Sequence, residues 1–224
     1  MIITVVVAMA PAAVLLVLRV INPPASAFMT LKAAELHREH PEREISHEWV
    51  DLDQVAPCMA LAAVAGEDQT FPTNHGFVWS SIERAIKHNA NGGAVHGAST
   101  ITQQTAKNLF LVPAKSYIRK GIEAYITVWM DLLWSKRRVL EVYLNIAQFS
   151  DTAFGVQAAA KQLFHTRAAH LSHSQCAALA AVLPAPDEYD AAHPGSYVAG
   201  RKAWILRQMR HLGPHYLDDA VGGH

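Results

Sequence analysis

Ile2–Leu18 is an apolar run without a charge, closed by Arg19. Beyond it, apolar positions recur at helical spacing and almost nowhere alternate with polar ones, so strand signals are nearly absent. The spacing predicts helices over Met29–Arg38, Pro57–Ala65, Val78–Asn89, Ile101–Leu109, Tyr117–Trp134, Arg138–Ile146, Gly155–Phe164, Ser174–Leu183 and Tyr197–Leu212. Pro57–Ala65 is apolar nearly all round and is expected to be buried on every side. Helix breakers agree with these limits: Asn22-Pro23-Pro24, Asn91-Gly92-Gly93, Pro113, Pro184-Ala185-Pro186 and Gly213. Thr100-x-x-Gln103 and Ser172-x-x-Gln175 read as capping boxes that open two of the helices. In Tyr117–Trp134 the residues Ile118, Ile122, Tyr125, Ile126, Trp129, Leu132 and Leu133 form one wide apolar face. Arg119, Glu123, Thr127 and Asp131 form a polar stripe opposite it. The fold class expected is all-α.

The first apolar run is at the short end of what crosses a bilayer core of ~30 Å at ~1.5 Å per residue. A single-pass transmembrane anchor over residues 1–21 is the expectation, with Pro11 tolerable inside it. A cleaved signal peptide is the alternative, because Ala25-Ser26-Ala27 resembles a processing site, although it lies late after the run. A core helix fits less well, since the run has no polar face. Positive residues (Arg19, Lys32, Arg38) follow the run and none precedes it, which argues weakly against a periplasmic catalytic domain.

Residues 22–224 are expected to form one domain, since 224 residues suffice for a single core. Lys plus Arg and Asp plus Glu both number 19. A zero net charge gives no general attraction for nucleic acid, and none is expected as a partner. Cys58 and Cys176 lie in Ala-rich apolar segments and are expected to be buried free thiols. The thirteen histidines show neither HExxH nor a zinc-ligand spacing, so no structural metal is expected.

Four segments carry candidate chemistry. Gly66–Phe77, GEDQTFPTNHGF, places Glu67 and Asp68 at the end of an apolar helix, and its Phe-Pro turn is expected to fold His75 back beside them. Ser99–Leu109, STITQQTAKNL, puts Thr100, Gln104 and Lys107 on one helix face, and with His96-Gly97-Ala98 its N-terminus suits an anion. A solvated helix face explains that spacing equally well. In RKGIEAYITVWMD, Arg119 precedes Glu123 by one turn, the less favourable order for a helix ion pair, which leaves Glu123 open for another task. Two carboxylates in one cleft suit glycosyl chemistry. In SKRRVLEVYLN the cluster Lys136, Arg137 and Arg138 opens a helix, where the dipole disfavours it. A bound anion or Glu141 is expected to neutralise it, unless it is plain surface charge.

Taken together and in order, GEDQTF, HGASTITQQTAKNLFL, RKGIEAYI and SKRRVLEVYLNIAQF resemble the conserved blocks of the peptidoglycan glycosyltransferases, glycosyltransferase family 51. The resemblance runs from NPPASAFM near Asn22 to AWILRQMRHLG near Leu212. It implies a lysozyme-like helical domain, with a large lobe and a small membrane-apposed lobe, on the periplasmic side of the bacterial cytoplasmic (inner) membrane. It implies polymerisation of lipid II, joining the MurNAc C1 of an undecaprenyl-pyrophosphate donor to the GlcNAc 4-hydroxyl of the acceptor with inversion. By match to the first motif, Glu67 is the general base and Asp68 its support, with Phe71, Asn74 and His75 in the same loop. By match to the second and third, Thr100, Gln104, Lys107, Arg119, Lys120 and Glu123 line the donor site. Glu123 would position the pyrophosphate there, with room for Mg²⁺ or Mn²⁺. Partners implied are lipid II, the growing strand, the membrane and other cell-wall synthesis and division proteins. No S-x-x-K transpeptidase motif occurs, as in monofunctional members. The family pattern has histidine where this chain has Asn74, and often Asp where it has Val78. A lysozyme-like or lytic glycan-cleaving enzyme and a decayed membrane scaffold are the competing readings.

Overall fold

The structure is a computed structural model, and it describes residues 2–78, 99–113 and 116–222. The expected helix over Val78–Asn89, the Asn91-Gly92-Gly93 break and His96-Gly97-Ala98 lie outside the described residues, except Val78 itself. Helix α1 is Ile2–Leu18 and α2 is Ala27–Glu39. Strand β1 (Ser46–His47) and a 3₁₀ turn at Leu52–Gln54 lead into α3, Pro57–Glu67, with Pro57 in its first turn. Helices α4 (Ile101–Phe110), α5 (Tyr117–Leu133) and α6 (Lys136–Ile146) follow. Strand β2 (Ala153–Phe154) precedes α7 (Val156–Phe164), and a 3₁₀ turn at Ala168–His170 precedes α8 (His173–Val182). The chain closes with α9 (Ser196–Leu212) and α10 (Asp218–Val221).

Among the described residues the expected helices are present with ends shifted by up to a turn. Both capping boxes form, at Thr100/Gln103 and Ser172/Gln175. The domain is predominantly helical, as expected for an all-α lysozyme-like fold, with one small departure. Residues of β1 and β2 pair in parallel, Ser46 with Ala153 and His47 with Phe154. Two-residue strands show no alternation, so nothing in the sequence marks them.

The core centres on α3 and α8. Eight successive residues of α3, Cys58–Ala65, are buried, as are Cys176–Val182 of α8. Alanines on facing sides let the two backbones approach closely, and α9 packs across both through Val198, Ile205 and Met209. Gly66 belongs to this contact: a Cβ there would meet Ile205 Cδ1 at 3.3 Å. The close approach corrects the expectation of free thiols. Cys58 and Cys176, 118 positions apart, face each other with Cα atoms 6.0 Å apart and form a disulfide.

Helix α5 buries Ile126 and Met130 together with part of its polar stripe, and leaves much of its apolar face outside. Glu123 and Thr127, from its polar stripe, are buried, whereas Ile118, Ile122, Tyr125, Val128 and Leu132 are exposed. Helix α1 packs beside it: Trp134 donates to the Leu15 carbonyl at 2.8 Å, and Leu15 is fully buried. Arg138 closes this joint. Its guanidinium donates to the carbonyls of Leu18 and Ile21 and to Asn22 Oδ1, and lies over the rings of Trp49 and Trp134. Among the described residues, no helix is long and apolar enough to cross a membrane.

The basic cluster at the start of α6 is neutralised within the protein. Lys136 pairs with Asp131 at 3.1 Å, Arg137 with Asp53 at 2.7 Å, and Arg138 with Glu141. Of the expected neutralisers, Glu141 is therefore present for Arg138, and no external anion is needed.

Candidate active site

Glu67 is the last residue of α3, so a rigid, fully packed helix carries it to the edge of the core. Its Oε1 accepts from Arg201 Nη2 of α9 at 2.8 Å, and its Oε2 accepts from Gln104 Nε2 of α4 at 2.9 Å. Gln104 is oriented in turn by Tyr143 of α6, whose hydroxyl donates to Gln104 Oε1 at 3.2 Å. Burial pushes the Glu67 carboxyl above the usual glutamate range, while Gln104, Arg201 and Lys107 pull against that rise. The result is a carboxylate held in fixed orientation with raised basicity. Burial likewise carries the Tyr143 phenol well above its ordinary range, so Tyr143 stays a neutral donor.

Asp68 has a different task. Its Oδ2 accepts from the Ile101 amide at 3.2 Å, which puts a carboxylate at the N-terminus of α4, where the helix dipole favours one. Thr100, the cap residue, accepts from the Gln103 amide at 3.1 Å and donates to the Gly76 carbonyl at 2.7 Å. The N-terminus expected to hold an external anion is thus engaged by Asp68 and by its own cap. Asn74 Nδ2 donates to both Asp68 oxygens, at 3.0 and 2.9 Å.

A cleft of about 690 Å³ opens beside Gln104 and Tyr143, so Glu67 lies one hydrogen bond behind its wall. Its lining includes Lys107, Asn108 and Arg119 as well as Phe28, Gln148 and Asp187. Behind Arg119, the buried carboxylate of Glu123 accepts from Arg119 Nη1 at 3.2 Å and from Lys120. The cleft lining itself holds two cations, Lys107 and Arg119, and one carboxylate, Asp187. Burial lowers the Lys107 pKa although Glu123 raises it.

The structure brings Gln104, Lys107 and Arg119 to one cleft, with Glu67 behind Gln104 and with Lys120 and Glu123 behind Arg119. Thr100, Phe71 and Asn74 are buried and are not among the residues that line the cleft. Phe71 is a core ring beneath the Lys136 ammonium. His75 is exposed and stands 3.6 Å from Asp131 rather than near Glu67. Sequence reasoning missed Arg201, whose partner lies 134 positions earlier with no local sign of the pairing. It also left Tyr143 unassigned, although the segment SKRRVLEVYLN that contains it was singled out.

Among the described residues, the carboxylates beside the cleft are already engaged by cations. Both oxygens of Glu123 are held by cations, and no cluster of three His, Cys, Asp or Glu side chains suited to a metal occurs among the described residues.

The sequence profile of the transglycosylase family matches residues 33–210. The chain is 49% identical over 204 residues to a biosynthetic peptidoglycan transglycosylase of Xanthomonas campestris pv. campestris (strain B100), covering 90% of this chain and 83% of that one. A protein with the same description from Xanthomonas axonopodis pv. citri (strain 306) is 50% identical over 204 residues, with the same coverage. One from Xylella fastidiosa (strain M23) is 45% identical over 205 residues, covering 91% and 84%. With a helical domain, a buried carboxylate at a cation-rich cleft and a match over most of its length, the chain belongs to the transglycosylase family.

Proposed function

We infer that this protein polymerises peptidoglycan glycan strands from lipid II. The observation that carries the reading is the pairing of Glu67 with a cleft whose cations outnumber its carboxylates. A pyrophosphate-linked donor brings negative charge that needs those cations, whereas cleavage of a neutral glycan does not. In this reading Lys107 and Arg119 face the pyrophosphate, with Glu123 holding both Arg119 and Lys120. Glu67 takes the proton from the acceptor 4-hydroxyl as its oxygen attacks the donor C1. The C1–O bond to pyrophosphate breaks on the opposite face, giving inversion, and the polyprenyl pyrophosphate leaves as an anion. The leaving group is good without protonation, so one base and several cations suffice.

The outward apolar face of α5 and the neighbouring α1 support a membrane-facing orientation. Val14, Leu16, Val17, Val20 and Ile21 are exposed near α5, and Ile118, Ile122 and Leu132 extend the same apolar character. Lipid would cover surface that water disfavours. We read α1 as the single-pass anchor in the cytoplasmic membrane and the cleft as open to the periplasm, where substrate lipids are concentrated in two dimensions. Other cell-wall synthesis proteins are the natural partners there.

The deciding experiment incubates purified protein with lipid II, with and without Mg²⁺ or Mn²⁺, and separates glycan products by length. Polymer from wild type and a loss of roughly 10²–10⁴-fold in Glu67→Gln are expected. Fragments released from sacculi with no polymer from lipid II would establish the cleaving alternative. Equal, poor polymerisation by both proteins would establish the scaffold.

A further inference from the structure

Asn74 uses its whole amide, and the groups around it dictate which way the amide faces. On one side lies the Asp68 carboxylate, which can only accept; Nδ2 donates to both its oxygens. On the other side lie the Gly76 amide and the Lys136 ammonium, which can only donate. They reach Asn74 Oδ1 at 3.2 and 3.3 Å. Lys136 also donates to the Asn74 carbonyl at 2.6 Å and is held by Asp131 at 3.1 Å. A flipped amide would set NH₂ against an ammonium and carboxylate against oxygen. Asn74 is buried, so water cannot replace these partners.

The bonds form a line. Asp131 holds Lys136, Lys136 holds Asn74, Asn74 holds Asp68, and Asp68 holds the Ile101 amide at the start of α4. One turn further along α4, Gln104 donates to Glu67. We propose that Asn74 is a positioning residue, whose uncharged amide joins Lys136 to Asp68 and so fixes the helix that brings Gln104 onto Glu67. The proposal rests on Glu67 being the base. An imidazole at this position, as in the family pattern, would titrate near neutrality between an ammonium and a carboxylate. The amide makes the same join without a change of charge. The charged groups facing Asn74 among the described residues are Asp68 and Lys136, with Asp131 behind Lys136; His75 points to solvent beside Asp131.

Asn74→Asp and Asn74→Leu separate this role from simple packing. The aspartate keeps the acceptor for Lys136 but sets a second carboxylate against Asp68, a pair that takes up a proton as pH falls. Once protonated, the introduced carboxyl donates to Asp68 again. Lipid II polymerisation is measured relative to wild type from about pH 8 to pH 6, below the melting temperature of each variant. Asn74→Asp is expected to lose about tenfold at the alkaline end and to recover several-fold on acidification. Asn74→Leu is expected to lose activity by a factor that does not change with pH. Wild-type rates for Asn74→Asp throughout, or the same pH-flat loss in both variants, would overturn the proposal. If neither variant is folded at the assay temperature, Lys136→Met decides: a loss of about fivefold or more supports the line of bonds, and wild-type turnover overturns it. Glu67→Gln is run alongside. An active Glu67→Gln protein would sink the base assignment itself, a different result from an Asn74→Asp protein that behaves as wild type.

Discussion

Replacing Arg201 with methionine tests how Glu67 is held. Methionine keeps much of the aliphatic stem and removes the guanidinium. The lost contacts are the 2.8 Å hydrogen bond to Glu67 Oε1 and a longer one, 3.3 Å, to the Gly66 carbonyl. A hydrogen bond to a charged group contributes ~1.5–3 kcal/mol. The Arg201 side chain is 23% exposed and that of Glu67 13%, so solvent screening favours the lower end. About 1.5 kcal/mol corresponds to roughly a tenfold loss of turnover. The pH dependence carries the sharper information. Burial already raises the Glu67 pKa, and Arg201 opposes that rise. Without Arg201 the pKa climbs further, and a base works only when deprotonated. The acid limb of the rate profile should therefore move to higher pH, with the variant most impaired at low pH and closest to wild type at high pH. Initial rates of lipid II polymerisation across that range give the test. An acid limb that stays in place, or moves to lower pH, would refute the electrostatic role assigned to Arg201.

Tyr143→Phe removes the donor to Gln104 Oε1, and a loss of about threefold to tenfold in turnover with little change in melting temperature is expected. Gly155 has φ 80° and ψ 151°, and a Cβ there would sit 2.6 Å from the Asn145 carbonyl oxygen. Gly155→Ala should cost about 2–3 kcal/mol or more, read as a fall of roughly 5–10 °C in thermal denaturation. Replacing both Cys58 and Cys176 with alanine should remove ~2–4 kcal/mol by freeing a long loop in the unfolded chain. Denaturant titration measures that change, and thiol labelling of unreduced, unfolded wild type should find no reactive cysteine.

Local signals carried the fold far. Thr100 and Ser172 cap the helices their spacing marks, because a capping box is complete within four residues. The two faces of α5 were equally plain in its periodicity, but a period says nothing of the medium each face meets. Thus Glu123 turned inward and Ile118 outward with no local warning. The disulfide and the Arg201–Glu67 pair were hidden for a related reason. Each joins helices far apart in sequence, and only the packing of α3 against α8 and α9 makes them neighbours. Gln104, Lys107 and Arg119 line the cleft together, and motif spacing already put Gln104 and Lys107 on one helix face. Thr100, Asn74 and Phe71 were grouped with them because one motif can hold both the working side chains and the fastenings beneath.

The Arg138 joint bears on how the protein meets its surroundings. A flexible leash lets an enzyme sample a range of heights and tilts, whereas a welded bracket permits one. The last carbonyls of α1 end on a guanidinium that belongs to α6, clamped between two indole rings. The same helix carries Tyr143 to the wall of the cleft. Whatever plane α1 adopts, the mouth of the cleft is set at a fixed elevation and bearing above it, and a tilt imposed on one is delivered to the other.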